Sequence, residues 1–335
     1  MVFLIQQTLA YAIPLMIVAL AGVFAERSGI INLALEGIMI FGAFIGVCFV
    51  KIMQEKEVFT VEQGQLLLVL TLVVCAVFGA VFSLLLSFSA VNLKADQTIG
   101  GTALNLLAPA LVLFLINVVA KQSILRIPGS SAKWFMIKKS TLGIPADKDI
   151  GMLGEILLNK VYLSTYICIV VFIVLSIILY KTKFGLRLRA CGENPQAADS
   201  LGIKVYKMRY AGTTISGALA GVGGFIYALG AAGCSSSGEV AGFGFLALAV
   251  MIFGNWNPGS IAVSALLFGL FKCIAASYST IDINGDGVAW LSEIGISSHV
   301  YRLLPYLITI IVLAFTSKKS RAPKAEGIPY DKGAR

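Results

Sequence analysis

Few residues in this chain have the types and spacing that chemistry needs. Asp282, Asn284 and Asp286 stand two apart, Gly287 follows, Val288 would offer a backbone carbonyl, and Glu293 closes a twelve-residue frame. That is the ligand order of an EF-hand calcium loop, with Gly at the sharp turn and a bidentate Glu last. Ala289 at the eighth position and the lack of a second such loop fit less well, and Asn-Gly-Asp-Gly also makes an ordinary turn. Calcium held there would be a structural clip of the weak, extracellular kind. Elsewhere chemistry is sparse. The single His is His299, which argues against a His-ligated metal or a His-based triad. Cys48, Cys75, Cys168, Cys191, Cys234 and Cys273 form no CxxC pair and read as small packing residues rather than disulfides or ligands. No Gly-x-x-x-x-Gly-Lys-Ser/Thr run occurs, so nothing here resembles a P-loop.

Three polar residues stand out because their surroundings are apolar. Asn32 and Glu36 lie four apart, which would put them on one helix face, and Glu36 falls about 9 Å into a span at the helical rise. An acid at that depth must face protein or a water-filled path. The alternative is a structural pairing of Glu36 with Arg27 or a backbone amide near the cytoplasmic mouth. Asn105 follows Gly100-Gly101-Thr102 at the start of another apolar segment. Small and polar residues there suit a broken or cavity-lining helix whose N-terminal amides meet a polar solute. Gly100 and Gly101 read equally well as packing residues, which leaves Asn105 as the path candidate. Lys272 lies towards the outer end of a later span and would snorkel.

These residues must be positioned by membrane helices. Of 335 residues, 58% are hydrophobic and only 13% charged, far too apolar for a soluble domain. A membrane helix needs about 20 apolar residues, and segments near that length run over 3–25, 30–50, 66–90, 99–119, 161–180, 210–232, 243–256, 258–278 and 301–316. The expectation is an all-α integral membrane protein of about nine transmembrane helices forming one transmembrane domain over 1–335. Its first span would be retained, since no basic residue precedes Arg27. The net charge of +9 sits in loops and does not signal nucleic acid. Residues 181–209 carry seven Lys/Arg against Glu193 and Asp199, and the tail 317–335 is also basic. Both belong inside by the positive-inside rule, where they also meet anionic lipid headgroups. Alternating outward puts the N-terminus outside and the C-terminus inside, with the acidic loops 51–65 and 279–298 outside. The loop 120–160 is basic yet also falls outside; it is long enough for the charge rule to lose force. It reads as a folded external cap.

Within 181–209, Glu193 and Asn194 precede Pro195 as the first residue of a short helix that Gly202 closes. With Gly185, Arg187, Arg189, Ala190, Gly192, Ala197, Ala198 and Ile203, this stretch resembles the cytoplasmic coupling loop of ribose-type and nucleoside-type ABC importer permeases. The run Ser28-Gly29-Ile30-Ile31-Asn32-Leu33-Ala34-Leu35-Glu36-Gly37 resembles the signature of the same family. Glu26-Arg27 before it and Glu36-Gly37 within it look like the nucleoside branch. The segments Leu33–Gly42 and Leu246–Gly254 nearly repeat in sequence and would run in opposite directions, as in an inverted repeat.

The resemblance implies a type II ABC importer permease fold. The chain would be a multi-pass protein of the bacterial cytoplasmic membrane, a non-enzymatic subunit with no cofactor of its own. ATP and Mg would be handled by a separate ATPase subunit docked on the coupling loop. A second permease subunit and an external substrate-binding lipoprotein would complete the importer, with the lipoprotein on the 120–160 cap. The implied substrate is a nucleoside, purine nucleosides such as guanosine first; ribose-like sugars or branched-chain amino acids are alternatives in the same class. An ion-coupled secondary transporter would need a proton or sodium relay, and Glu36 and Lys272 are the only deeply placed ionisable residues.

Overall fold

In the computed structural model, residues 2–128, 133–137, 145, 151–159, 161–278, 297, 300–301, 303–305, 307–310 and 321–333 are described. The helices are α1 (Val2–Glu26), α2 (Leu35–Glu55), α3 (Gly64–Ser87), α4 (Gln97–Ala120), α5 (Gly151–Leu158), α6 (Leu163–Lys181), α7 (Lys183–Glu193), α8 (Pro195–Ser200), α9 (Val205–Leu229), α10 (Phe243–Phe253) and α11 (Pro258–Ser277). Among the described residues seven helical segments are long and apolar enough to cross a membrane: 2–26, 35–55, 61–92, 97–120, 163–181, 205–229 and 258–277.

The expected span 243–256 is different. Its helix has 11 residues, about 16 Å at the helical rise, half of what a bilayer core asks. Gly242 enters it with φ +73°, and Asn255 and Trp256 leave it with φ 51° and 55°, so backbone geometry rather than loss of hydrophobicity sets both ends. The expected second span also starts late. Residues 27–34 are non-helical, and α2 begins at Leu35. Of the expected last span, 301, 303–305 and 307–310 are described and helical.

Helix α1 is buried on all sides from Ala12 to Glu26, as an all-round apolar helix should be. It runs on through Pro14 and packs against α6, α9, α10 and α11. Helix α9 owes its central position to small residues. Where it crosses α2 and α3, Gly217 and Gly221 meet Gly42 and Gly79 backbone to backbone, and a Cβ at Gly224 would strike the Met39 carbonyl. Close approach of this kind drives helix association where lipid offers no hydrophobic contrast. Side-chain bonds add specificity: Ser87 and Thr213 hydroxyls lie 2.5 Å apart, and Tyr210 donates to Asn92 in the π-turn Phe88–Asn92 that ends α3. The outward faces of α3, α4 and α6 carry exposed Val73, Val77, Val81, Leu106, Phe114, Val118, Val170 and Ile177, the apolar coat that lipid requires.

The all-α expectation misses two small antiparallel ladders. Leu125–Arg126 (β1) pairs with Ser235–Ser236 (β4), and Met136–Ile137 (β2) pairs with Val161–Tyr162 (β3). Beside α5, they give the described part of the 120–160 segment a folded character.

Gly224→Ala tests the central crossing. We expect a loss of about 2 kcal/mol or more, the range for an overpacked core, read as a lower melting temperature in detergent. Gly230→Ala, whose Cβ would meet nothing closer than 3.5 Å, is the control and should melt like the parent.

Candidate functional site: two helix starts inside the bundle

The segment 27–34 links the spans 2–26 and 35–55 without helical structure, and backbone buried in protein must find its hydrogen-bond partners there. Ser28, Ile30, Asn32 and Ala34 are fully buried. Asn32 donates to the Ser216 hydroxyl of α9 at 2.8 Å. The Ile31 N–H donates to the buried Gln97 side chain at 2.7 Å. Asn105 of α4 grips the end of the segment from both sides: its amide nitrogen donates to the Leu33 carbonyl at 2.7 Å, and its oxygen accepts from the Gly37 N–H at 2.8 Å. Gly37 is among the first residues of α2, whose early N–H groups have no intrahelical partner. Asn105 is therefore a capping residue supplied by a neighbouring helix.

Glu36 does the same for α10. Its carboxylate accepts from the Gly242 N–H at 2.9 Å and the Gly244 N–H at 2.6 Å. Helix α10 has no side-chain cap of its own, so a carboxylate 206 residues away in sequence satisfies its first amides and sits at the positive end of its dipole. Of the two structural partners that the sequence left open for Glu36, the backbone amide is the one it meets. Arg27 instead faces Glu193 at 3.4 Å. The expectation that Asn32 and Glu36 share a helix face is corrected: Asn32 precedes α2 and its side chain goes to α9, while Glu36 goes to α10. The starts of α2 and α10 thus meet inside the bundle, bridged by one carboxylate. Leu33–Gly42 opens α2 whereas Leu246–Gly254 closes α10, so the two similar stretches occupy unlike places in their helices.

The basic loop 181–209 holds two helices, and the sequence reading found only the second. In α8, Pro195 is the first residue, Asn194 accepts from the Ala197 N–H at 3.0 Å, and Gly202 takes φ +81°. The first, α7, is capped by Thr182. The ten residues singled out in this loop split by direction. Gly185 and Gly192 are spacers, tight against the backbones of Leu179 and Arg27. Pro195 is buried, and Ala198 is buried with Cys191, Val205 and Tyr330. Arg189 lies over the Tyr180 ring at 5.0 Å. Arg187, Glu193, Asn194, Ala197 and Gly202 face outward. Two outward apolar residues escaped the sequence reading, Leu186 (61% exposed) and Leu201 (81%). They flank a groove of about 570 Å³ with Arg187, Ile203, Lys207 and Met208. Their exposure depends on helix phase, which composition does not give.

The tail segment 321–333 binds these parts together. In order along the chain, the Arg321 N–H donates to Asn255 at 2.8 Å, the Ala325 N–H to the Gly192 carbonyl at 2.8 Å, and the Gly327 N–H to the Gly29 carbonyl at 3.3 Å. Arg209, fully buried, donates to the Ile328 carbonyl at 3.0 Å, and Tyr330 packs on the Tyr206 ring. Asp331 pairs with Lys94 at 2.9 Å. That hydrogen bond holds the Asp331 carboxyl below its ordinary range and the Lys94 amine above. Burial pushes Glu326 up to about 7, against the pull of Arg27. Backbone bonds from Ile99 and Thr98 keep the Asp96 carboxyl, the cap of α4, below its usual range. At the end of α1, the Trp256 indole N–H donates to the buried Glu26 at 2.5 Å.

The calcium-type residues Asp282, Asn284, Asp286, Val288 and Glu293 lie outside the described residues. Among the described residues no group of three or more His, Cys, Asp or Glu could hold a metal, and all six cysteines are free.

The described structure is a bundle of apolar spans with two buried, side-chain-capped helix starts and a polar clasp at one end, the architecture of a multi-span membrane protein. The family described as branched-chain amino acid transport system / permease component matches residues 4–313, and the chain belongs to it. It is 42% identical to the nucleoside ABC transporter permease protein NupC of Lactococcus lactis subsp. cremoris, covering 98% of this chain and 96% of the relative. It is 39% identical to the guanosine ABC transporter permease protein NupQ of Bacillus subtilis, covering 99% and 97%. It is also 22% identical to the nucleoside ABC transporter permease protein NupB of the same Lactococcus strain, covering 97% and 83%. No solved structure matches the chain. The chain is therefore a multi-pass ABC permease, a transport subunit and not an enzyme.

Glu36→Gln keeps the shape but replaces one acceptor oxygen with a donor that opposes a Gly242 or Gly244 N–H. A buried donor left without a partner costs about 1–3 kcal/mol. We expect a lower melting temperature and weaker uptake, with Glu36→Asp between Gln and the parent because it keeps charge and loses reach. A Gln variant matching the parent in both would remove the capping role.

Proposed function

We propose that this chain is the permease subunit of an ATP-driven ABC importer for nucleosides, purine nucleosides such as guanosine in particular. The observation that carries this reading is near-full-length identity of about 40% to two permeases named for nucleoside and guanosine transport. The substrate would enter from an external binding lipoprotein, and a separate ATPase subunit would drive the cycle. Likeness to both NupC and NupB of one organism supports a pair of unequal permeases. Likeness to sugar and amino-acid permeases is lower or covers less of the chain, which favours the nucleoside reading over those alternatives.

Coupling rests on geometry. Leu186 and Leu201 offer apolar contacts to an ATPase groove, with Arg187, Gln196 and Ala197 around them. Motion there has a short route inward. Glu193 faces Arg27, Gly192 lies against the Arg27 backbone, and Arg27 opens the segment that Asn32, Asn105 and Glu36 hold. A push on α7 and α8 would therefore reach the two helix starts directly.

Uptake of labelled guanosine in cells lacking the chain and then restored, with ribose and leucine alongside, tests the substrate. Loss and recovery for guanosine alone is expected; loss of ribose or leucine uptake instead would overturn the nucleoside assignment. Leu201→Glu tests the docking face. Losing burial of one Leu is worth about 2 kcal/mol, roughly tenfold or more in ATPase affinity, so uptake should fall while the amount of permease in the membrane stays unchanged. Normal uptake by this variant would remove Leu201 from the contact.

A further inference from the structure

A cavity of about 420 Å³ opens beside the start of α10, lined by Tyr11, Tyr227, Phe243, Lys272, Ala241 and Ala276. It lies towards the far end of α1 from the coupling helices. Tyr11 is about 22 Å along α1 from Glu26, and Cys273, next to Lys272, contacts the Leu4 carbonyl. The floor is aromatic. The Tyr227 and Phe243 ring centres are 4.6 Å apart, and those of Tyr11 and Phe243 are 6.2 Å apart. Lys272 sits 5.0 Å above the Phe243 ring, and its ammonium donates to the Ala241 carbonyl over a long 3.4 Å. Ala241 and Ala276 at the rim are exposed.

Three features restrict the ligand. The volume falls within the range of small-molecule sites. A helix start inside a transporter ordinarily favours an anion, but here the Gly242 and Gly244 amides are bound by Glu36 and the Phe243 amide donates to Val240. A phosphate or carboxylate would therefore find no free first-turn donors and a carboxylate close by. An uncharged, planar, aromatic ligand suits the remaining surface, with Lys272 as a donor to ring acceptors. Guanine offers two adjacent acceptors, O6 and N7, where adenine offers N7 next to an amino donor.

We propose that this cavity is the permease's own contact for the nucleobase in transit, with Tyr11, Tyr227 and Phe243 as its aromatic wall and Lys272 selecting 6-oxopurines. The proposal rests on the nucleoside reading above and deepens it. An aromatic contact to a base by itself is tolerant of which base it meets, so the discrimination falls to Lys272.

The test uses the assembled importer in membranes. Ala276→Cys places a thiol at the exposed rim, and its alkylation by an impermeant maleimide should be slowed about fivefold or more by saturating guanosine and not by ribose. The corresponding uptake experiment compares Tyr11→Leu, Tyr11→Phe and Lys272→Met at equal membrane levels. Tyr11→Leu should lower the maximal guanosine rate by about fivefold, the scale of one base–aromatic contact, and Tyr11→Phe should restore most of it. Lys272→Met should reduce the guanosine-to-adenosine rate ratio by about fivefold or more. Equal labelling with and without guanosine overturns the cavity as a base site even where the parent imports guanosine normally. Failure of the parent to import any nucleoside overturns the nucleoside reading instead. An unchanged rate ratio in Lys272→Met removes that residue from the base edge.

Discussion

One buried carboxylate holds the centre of this protein together. Glu36 closes the start of α2 onto the start of α10 through two backbone N–H groups, and the N-cap of α10 is a glycine that supplies no side-chain cap of its own. A helix that begins buried in protein leaves amides that water cannot satisfy, each costly if orphaned. An ionised carboxylate there would be costly too without partners. Each group answers the need of the other, so the broken helix and the buried acid are one feature.

Asn105 repeats the arrangement at α2, where it holds the end of the non-helical stretch 27–34 and the first turn of the helix that follows. The geometry also separates duties. With its first-turn amides engaged, the start of α10 positions rather than attracts, and in the proposed base site recognition would fall to the aromatic and lysine side chains around it. The scaffold that permits this is the glycine crossing of α9 with α2 and α3, where backbones approach too closely for any side chain.

The end of the bundle that carries the tail segment is held by a different kind of structure. The tail segment crosses the α10–α11 turn, the end of α7, the 27–34 segment, α9 and the α3–α4 link through backbone bonds and one exposed ion pair. Exposed pairs stabilise little, whereas the burial of Tyr330 and Ala325 and the Arg209 bond to Ile328 join parts that would otherwise share few contacts. The loop on which an ATPase would press and the segment that starts α2 are thereby linked twice, through Arg27 and through the tail.

The sequence by itself determined the class, the approximate spans and the short helix after Asn194-Pro195, because apolar length, Lys/Arg placement and a cap followed by proline act over a few neighbouring residues. It also singled out Asn32, Glu36 and Asn105, since a polar side chain in an apolar run demands a partner wherever that partner lies. Only the tertiary structure decided who the partners are. Glu36 meets amides 206 residues away, Asn32 leaves the helix face predicted for it, Ala198 turns inward, and Leu201 turns outward. Helix α10 stops at 11 residues for reasons of backbone dihedral that hydropathy does not record. Local rules fix what a segment can form; the long-range closure of the chain fixes which unsatisfied group meets which.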